Sequence, residues 1–111
     1  MITIIRNAEV YAPEYLGKKD VLLLGSKIAA VDEHVSFNIN GPVEVSEIDA
    51  GGKALIPGFI DSHSHIQGGG GEGGFSTRTP EAVLTDFTTA GVTTVVGCLG
   101  TDGTEIGRAH V

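Results

Sequence analysis

The sequence contains one cysteine, Cys98, in 111 residues. A single thiol excludes an intramolecular disulfide framework, so a reducing compartment such as the cytoplasm is expected. No apolar run approaches the length of a membrane-spanning helix. The first residues, Met1 to Asn7, lack the basic start and the long apolar centre of a secretory signal. These absences predict a cytoplasmic protein that has no membrane partner.

Basic residues are also few. The chain contains seven Lys and Arg and fourteen Asp and Glu, which give a formal charge of −7. This balance disfavours nucleic acid and anionic membrane surfaces as partners. Hydrophobic residues make up 41% of the chain, a share that suits a soluble globular protein. The length is sufficient for a small domain.

Glycine is the residue in excess, with 17 in the chain. Nine of them lie between Gly51 and Gly74, so the excess is local. The single cysteine lies in the apolar run from Val95 to Leu99. There we interpret Cys98 as a small hydrophobic residue and not as a nucleophile.

Residues 1–53 consist of short β-rich segments separated by turn residues. Strands are predicted at residues 2–10, 20–24, 27–31 and 43–48. The middle two form a hairpin around Gly25-Ser26, where a glycine in the first position suits a type II′ turn. Residues 11–19 are predicted to be a turn or loop, and His34 is expected to be solvated. The pattern predicts a small β-sandwich or part of one.

Residues 54–99 predict a strand, a helix and a second strand. The apolar run from Leu55 to Ile60 predicts a buried strand that continues to His65. Thr79-Pro80 predicts the start of a helix, and Gly91 predicts its end. The nearly continuous apolar run from Val92 to Leu99 is typical of a parallel strand that is buried on both faces. Together these segments predict one βαβ unit.

The first of these strands carries Asp61, His63 and His65 at its carboxyl end. Alternate residues of an extended chain point to the same face, so both imidazoles can converge on one metal ion. From these residues alone, two interpretations are about equally supported. The histidines form one half of a transition-metal site, or they are only the polar end of a strand. Ligands of parallel α/β proteins collect at the carboxyl ends of strands, where a glycine-rich loop and Gly100-Thr101-Asp102 also fall.

The glycine-rich loop, residues 68–74, contains one charged residue, Glu72. Its composition is compatible with a flexible linker or with close approach of the backbone to a ligand, because glycine permits conformations that other residues resist. No Gly-Lys-Ser/Thr follows, so the loop does not match a phosphate loop. The negative charge of Glu72 favours a cationic partner, such as the ammonium group of a substrate.

The segment from Pro57 to His65, Pro-Gly-Phe-Ile-Asp-Ser-His-Ser-His, resembles the first barrel strand of the amidohydrolase superfamily. The glycine-rich loop and the later segments Thr77 to Glu81, Ala90 to Thr93 and Gly100 to Asp102 resemble one branch, the β-aspartyl (isoaspartyl) dipeptidases. The likeness covers residues 1–103. It implies an α/β fold in which part of a β-sandwich, residues 1–53, precedes the first βαβ unit of a (β/α)8 TIM barrel, residues 54–111.

The resemblance also implies a metal site. His63 and His65 would bind the more buried zinc ion of a two-metal centre, and Asp61 would support them without contacting the metal. In such a site the metals polarise the amide carbonyl and convert a bridging water into hydroxide near neutral pH.

The resemblance further implies a small dipeptide as substrate. Glu72 would hold its free α-amino group, while the backbone of Gly70 and the side chain of Thr101 would help to position the dipeptide. A homo-oligomer is expected for the full-length enzyme of this kind.

Other groups of the resembled family are absent from this sequence. The family also uses a carbamylated lysine, two further metal-binding histidines and an aspartate, but no lysine follows Lys53 and only His110 follows His65. Two strands cannot close an eight-stranded barrel. We therefore expect the amino-terminal portion of a β-aspartyl dipeptidase-like hydrolase that has no catalytic residue of its own and is inactive alone.

Two alternatives remain open at the level of the sequence. The first is a non-catalytic metal-binding or interaction fragment whose exposed strand edges pair with another chain. The second is a different amidohydrolase with the same His-x-His strand, such as a dihydroorotase-like or aminoacylase-like enzyme.

Overall fold

The computed structural model describes residues 1–70 and 73–98. The chain divides into two compact units, residues 1–57 and the residues from Gly58 onward. The short strand at residues 54–55 pairs within the first unit. The assignment of residues 1–53 and 54–111 to separate domains stays a prediction.

Among the described residues, the first unit contains a five-stranded mixed sheet. Its strands are β1 (Ile2–Tyr11), β2 (Tyr15–Leu24), β3 (Lys27–Asp32), β4 (Val45–Asp49) and β5 (Ala54–Leu55). The neighbours β1 and β2 are antiparallel, as are β2 and β3, whereas β4 and β5 run parallel to β1 along its other edge. The predicted hairpin at Gly25-Ser26 is confirmed, because Leu24 pairs with Lys27 and Gly25 has a φ of 60°.

The prediction of a loop over residues 11–19 is wrong from Tyr15 onward. β2 begins at Tyr15, and its first half pairs with β1, with Lys19 opposite Ala8 and Gly17 opposite Val10. The strand extends this far because pairing with β1 supplies hydrogen bonds that local turn propensity does not reveal.

A bulge in β1 places two hydrophobic clusters on opposite faces of the sheet. The register of β1 against β2 shifts between Ile5 and Ala8, and Asn7 between them has a φ of 56°. An extra residue in a strand moves the side chains that follow it to the other face. One cluster contains Ile2, Ile4, Leu22 and Val35, and the other contains Ala8, Val10 and Val21. Both faces of this sheet therefore carry core residues.

Asp20 is a buried charged residue of the first unit, with 4% of its surface exposed. Its carboxylate accepts hydrogen bonds from Arg6 Nη1 at 2.7 Å and from the amides of Asn7 at 3.1 Å and Val35 at 3.2 Å. Arg6 also donates to the Val35 carbonyl and, at 2.9 Å, to Glu47 Oε1. The Arg6–Asp20 pair thus binds both polar groups of the Val35 backbone and keeps the Val35 side chain in the core.

These contacts hold the pKa of Asp20 below its ordinary value of 3.8. Burial by itself would raise this pKa, but the hydrogen bonds from Arg6 and from the Asn7 and Val35 amides favour the carboxylate and outweigh burial. The pKa of Arg6 is raised in turn by its hydrogen bonds to Glu47 and Asp20.

The second unit contains the predicted βαβ unit. In chain order its elements are β6 (Phe59–Ser64), β7 (Gly69–Gly70), a 3-10 helix (Phe75–Thr77), β8 (Arg78–Thr79), α1 (Leu84–Thr89) and β9 (Val92–Gly97). The strands β6 and β9 are parallel neighbours, and α1 lies between them in the chain. The predicted α/β class, part of a β-sandwich followed by a first βαβ unit, is confirmed. Within residues 1–70 and 73–98, no helix has the length and apolar character needed to cross a membrane.

The helix begins later than predicted. Thr79-Pro80 does not start it, because Thr79 pairs with Gly69 and α1 follows only after Val83. The Val83 amide donates to Asp86 Oδ2 at 3.3 Å, so a carboxylate of the first turn, and not the expected threonine, accepts from the backbone where the helix begins. The predicted end is confirmed, since Gly91 follows the helix in the left-handed region at a φ of 81°.

The two parallel strands are exposed, although their apolar patterns predict burial. Phe59 is 55% exposed and Ile60 is 68% exposed on β6, and Val96 is 38% exposed on β9. The described residues provide each strand with one partner in this sheet and a single six-residue helix. That is too little surface to cover both faces of the strands.

The described residues of the glycine-rich loop are held by backbone pairing. β7 and β8 are antiparallel, with Gly69 opposite Thr79. The Ala82 amide donates to the Ile66 carbonyl at 2.9 Å and closes the base of the loop. The described part of the loop is therefore not a free linker.

Gly68 lies where the two sides of this loop approach most closely. It is buried and has a φ of 77°, and a Cβ at this position would lie 2.6 Å from the Thr79 carbonyl oxygen. Thr79 Oγ1 donates to the Gly69 carbonyl at 3.3 Å. Only glycine fits here without displacing the backbone of β8.

Thr77 makes a second set of contacts at the far side of the loop. Its Oγ1 accepts from the Gly73 amide at 3.2 Å and donates to the Gly74 carbonyl at 2.8 Å. Two threonine hydroxyls, those of Thr77 and Thr79, therefore bind the glycine backbone on either side of residues 71–72.

We expect the unfolding free energy to fall in acid partly because of Asp20. A carboxyl whose folded pKa is depressed contributes stability that is fully present above the unfolded pKa and is lost as pH falls through the folded pKa. The loss should begin near the ordinary value of 3.8 and continue below it. Asp20→Asn should lower the unfolding free energy at neutral pH by about 2 kcal/mol and flatten the acid dependence, as measured by urea unfolding across this pH range.

Asp32→Asn is the matched control for Asp20→Asn. Asp32 is an exposed residue at the end of β3 that accepts a hydrogen bond from the adjacent Glu33 amide. Equal losses of stability in the two variants would contradict the assigned role of Asp20.

Gly68→Ala should lower the unfolding free energy more than Gly52→Ala. The two glycines have similar φ values of 77° and 81°, but a Cβ at Gly52 would meet nothing within 4 Å, whereas one at Gly68 would strike the Thr79 carbonyl. We expect the difference in unfolding free energy to be at least about 1 kcal/mol. Amide hydrogen exchange at Gly69 and Thr79 should increase in Gly68→Ala, and unchanged exchange there would show that the approach is not tight.

Candidate metal and substrate site

The two predicted metal ligands lie close together at the end of β6. His63 is within the strand and His65 follows its last residue. Their ring centres are 5.2 Å apart, the ring planes meet at 84°, and both side chains are exposed. The Cys98 amide donates to the Ser64 carbonyl at 2.8 Å, so the chain after β9 fixes the backbone between the two histidines.

This spacing is compatible with a shared zinc ion. With a zinc–nitrogen bond of about 2.0–2.1 Å, two imidazoles on one tetrahedral ion have ring centres about 5 Å apart. The separation of 5.2 Å between His63 and His65 fits that value. Neutral imidazole is also an ordinary zinc ligand.

The two histidines supply only part of a metal shell. Within the part of the chain that the structure describes, no group of three or more His, Cys, Asp or Glu side chains could hold a metal ion. A structural or catalytic zinc site needs at least three protein ligands. The remaining ligands must therefore come from residues outside the described ranges or from elsewhere.

Asp61 contacts the backbone of the first histidine. Its Oδ1 accepts a hydrogen bond from the His63 amide at 3.1 Å. The register of β6 against β9 shifts between Asp61 and Ser64, so this carboxylate stabilises the strand where the ladder is irregular. Asp61 can thereby orient His63 without touching a metal.

The predicted substrate-binding residues are only partly described. Gly70 lies in β7, is exposed and has a φ of 79°. Glu72 and Thr101 lie outside the described residues. The structure thus brings together Asp61, His63 and His65, and it provides no geometry for Glu72 or Thr101.

The roles of Thr77 and Thr79 in holding the loop are not evident from the sequence. Alternating threonines favour extended structure, and this signal could have identified the segment as a strand. The Thr79-Pro80 pair is typical of a helix start and therefore predicts a helix for the same segment. The pairing of Thr79 with Gly69 decides between them.

A second polar cluster, in the first unit, has a structural role. A cleft of about 430 Å³ beside Arg6 and Asp20 also includes His34 and Glu33. The His34 side chain is 76% exposed and its Nδ1 lies 3.5 Å from Asp20. The expectation that His34 is solvated is confirmed, and the buried carboxylate is already paired with Arg6.

Comparison with known proteins identifies the family. A family model described as the amidohydrolase family matches residues 46–104, which is more than half of the chain. The match includes β6, α1 and β9.

Two crystal structures of a β-aspartyl dipeptidase from Fervidobacterium islandicum AW-1 are similar to this chain. Both share 54% sequence identity over 98% of the chain, with TM-scores of 0.77 and 0.78. One of them contains a β-Asp-Leu dipeptide. This chain covers 27% and 29% of the two solved chains.

A curated relative has a different activity. The dihydroorotase of Elusimicrobium minutum (strain Pei191) is 38% identical over 90 residues, which are 78% of this chain and 20% of that protein. The chain therefore spans less than a third of the length of each of these relatives. The family match and the solved structures agree, and the chain belongs to the amidohydrolase family.

Proposed function

We propose that this chain forms part of the active site of a zinc-dependent hydrolase that cleaves β-aspartyl dipeptides. The observation that carries the proposal is the pair of histidine rings, 5.2 Å apart at the end of a parallel strand, in a chain 54% identical to a β-aspartyl dipeptidase. Other amidohydrolases share such a strand, so the histidines support the metal site and do not identify the substrate.

His63 and His65 would hold one zinc ion, and amidohydrolases are usually metal-dependent. When bound, the metal would polarise the scissile C–N amide and activate a water molecule. The protein's own contribution is rigid placement, because β9 fixes the backbone at Ser64 and Asp61 binds the His63 amide. A backbone that is already held at these residues reduces the conformational freedom lost when the two imidazoles bind a metal.

The substrate would be recognised by the glycine-rich loop. A β-Asp-Leu dipeptide is bound in one of the similar crystal structures, and a dipeptide of this class carries a free ammonium group. Glu72 would pair with that group through opposite charge, Gly70 would present its backbone, and Thr101 would help to position the dipeptide. The contacts of Thr77 and Thr79 support this proposal, since they hold the glycines on both sides of residues 71–72.

The chain by itself would not catalyse the reaction. Two imidazoles fill half of a four-coordinate zinc shell, and the chain spans 27% to 29% of the similar dipeptidase. The full-length enzyme would be cytoplasmic, in keeping with the single cysteine of the sequence, and a homo-oligomer, as the resemblance to the β-aspartyl dipeptidases implies.

A dihydroorotase-like activity is the second candidate. It is favoured by the 38% identity to the dihydroorotase over 78% of the chain. Both candidates use the histidines of β6 in the same way and differ in the role of Glu72.

The first prediction from this proposal is that the purified chain binds zinc weakly through the β6 histidines, because they fill only half of the coordination shell. His63→Ala and His65→Ala should each weaken zinc binding about tenfold or more, as measured by isothermal titration. His34→Ala is the matched control, because His34 is an exposed histidine of the first unit. An equal effect of all three substitutions would contradict the assignment.

The same measurement shows whether Asp61 supports zinc binding through its hydrogen bond to the His63 amide or through its negative charge. Asp61→Ala removes the acceptor for the His63 amide and should weaken zinc binding by about 10- to 100-fold. Asp61→Asn keeps an oxygen acceptor and should retain most of the affinity. A large loss in Asp61→Asn would instead indicate that the charge of Asp61 is needed.

The second prediction concerns turnover. The chain alone should not hydrolyse β-Asp-Leu, whereas co-expression with the part of the Fervidobacterium islandicum dipeptidase that it does not cover should produce hydrolysis. In that assembly Glu72→Gln should raise KM about 10- to 100-fold with a smaller change in kcat, because a charged hydrogen bond to the substrate is lost. Release of aspartate measures both parameters.

Two outcomes would contradict this second prediction. Chelator-sensitive turnover by the chain alone would show that it is a complete enzyme. An unchanged KM in Glu72→Gln, together with hydrolysis of dihydroorotate by the assembly, would favour the dihydroorotase-like candidate.

A further inference from the structure

The connection between β3 and β4 contains an exposed Asn40-Gly41 pair. Within the described residues, neither residue takes part in a hydrogen bond or an ion pair. Gly41 has a φ of 149°, and a Cβ there would meet nothing within 4 Å. Within the described residues, no hydrogen bond therefore has to break before the Asn40 side chain and the Gly41 amide can react.

In an Asn-Gly pair, the backbone amide of the glycine can attack the side chain of the asparagine. The amide nitrogen of the next residue lies within reach of the asparagine Cγ and can close a five-membered ring. A side chain on that next residue hinders the closure, and glycine has none. A hydrogen bond to either group would also oppose it, because the bond must first be broken.

The other two asparagines of the chain lack these conditions. Asn7 lies in the β1 bulge, where its Nδ2 donates to Asp49 Oδ1 at 3.1 Å and its amide donates to Asp20. Asn38 is followed by Ile39, whose branched Cβ crowds its own amide. Asn40 is therefore the reactive asparagine among the three in the chain.

We propose that Asn40 is a site of spontaneous deamidation and isoaspartyl formation. The deprotonated Gly41 nitrogen forms a bond to Asn40 Cγ, the Cγ–Nδ2 bond breaks, and the nitrogen leaves as ammonia after taking up a proton. Water then opens the succinimide ring. Attack at the α-carbonyl leaves the chain running through the side chain as a β-aspartyl linkage, and attack at Cγ gives ordinary aspartate.

The fold tolerates this change. The β-aspartyl form adds one methylene to an exposed connection and one negative charge to the formal −7 of the chain. The nearest core contacts are made by Phe37 and Val45, which flank the pair and are not altered. The new linkage is of the same chemical class as the β-Asp-Leu ligand in the similar crystal structure, but the inference stands without the proposed function.

The test is to age the purified 111-residue chain in mildly alkaline buffer and map its peptides. Cleavage after Lys27 and Lys53 releases one peptide, residues 28–53, that contains both Asn38 and Asn40. Asn38 is thus an internal control in the same molecule. Mass spectrometry with electron-transfer fragmentation distinguishes isoaspartate from aspartate, and an isoaspartyl-specific methyltransferase gives an independent measure.

Asn40 should convert at least about ten times faster than Asn38, where the β-branched Ile39 slows ring closure, and isoaspartate should accumulate at residue 40. Asn40→Gln should reduce methyl transfer to this peptide to the slow contribution of Asn38, because glutamine would need a larger ring. The unfolding midpoint of the aged chain should be unchanged. Conversion of Asn40 no faster than that of Asn38, or conversion to aspartate without isoaspartate, would overturn the proposal.

Discussion

The parallel pairing of β6 with β9 is the constraint on which the candidate site depends. The ladder places Phe59 opposite Val92 and Ser64 opposite Gly97, and the Cys98 amide extends it by one bond. Close approach of the chains needs Gly58, because a Cβ there would overlap the Thr93 side chain. With the backbone fixed in this way, the two-residue repeat of a strand is sufficient to direct both imidazoles to one side.

The two compact units are stabilised by different kinds of contact. In the first, a partly buried Arg6–Asp20 pair binds the backbone of Val35 and joins the connection after β3 to the sheet. In the second, glycines allow close backbone approach at Gly68, and threonine hydroxyls bind the neighbouring carbonyls. The charged pair is sensitive to acid, whereas the glycine contacts depend on shape alone. A fall in pH below the ordinary pKa of aspartate therefore weakens the contacts that Asp20 makes in the first unit.

The amidohydrolase assignment joins a geometric observation to a comparison. The geometry supplies two imidazoles at a separation that suits one zinc ion, and the comparison supplies the family in which such a strand occurs. Neither alone identifies a substrate. The β-aspartyl substrate is a proposal that depends on the glycine-rich loop and on the similarity of this chain to a dipeptidase crystallised with a β-Asp-Leu dipeptide.

The sequence by itself determined the features that depend on near neighbours along the chain. These are the hairpin at Gly25-Ser26, the helix end at Gly91 and the shared face of His63 and His65, and each follows from a local backbone preference or a short repeat. The family could also be identified from the segment that ends in those histidines. Tertiary structure decided what requires distant partners. Arg6, Asp20 and Val35 are distant in the chain and come into contact only in the folded sheet. Thr79 pairs with Gly69 in a strand and does not begin a helix. The apolar strands are exposed because burial depends on which elements cover them.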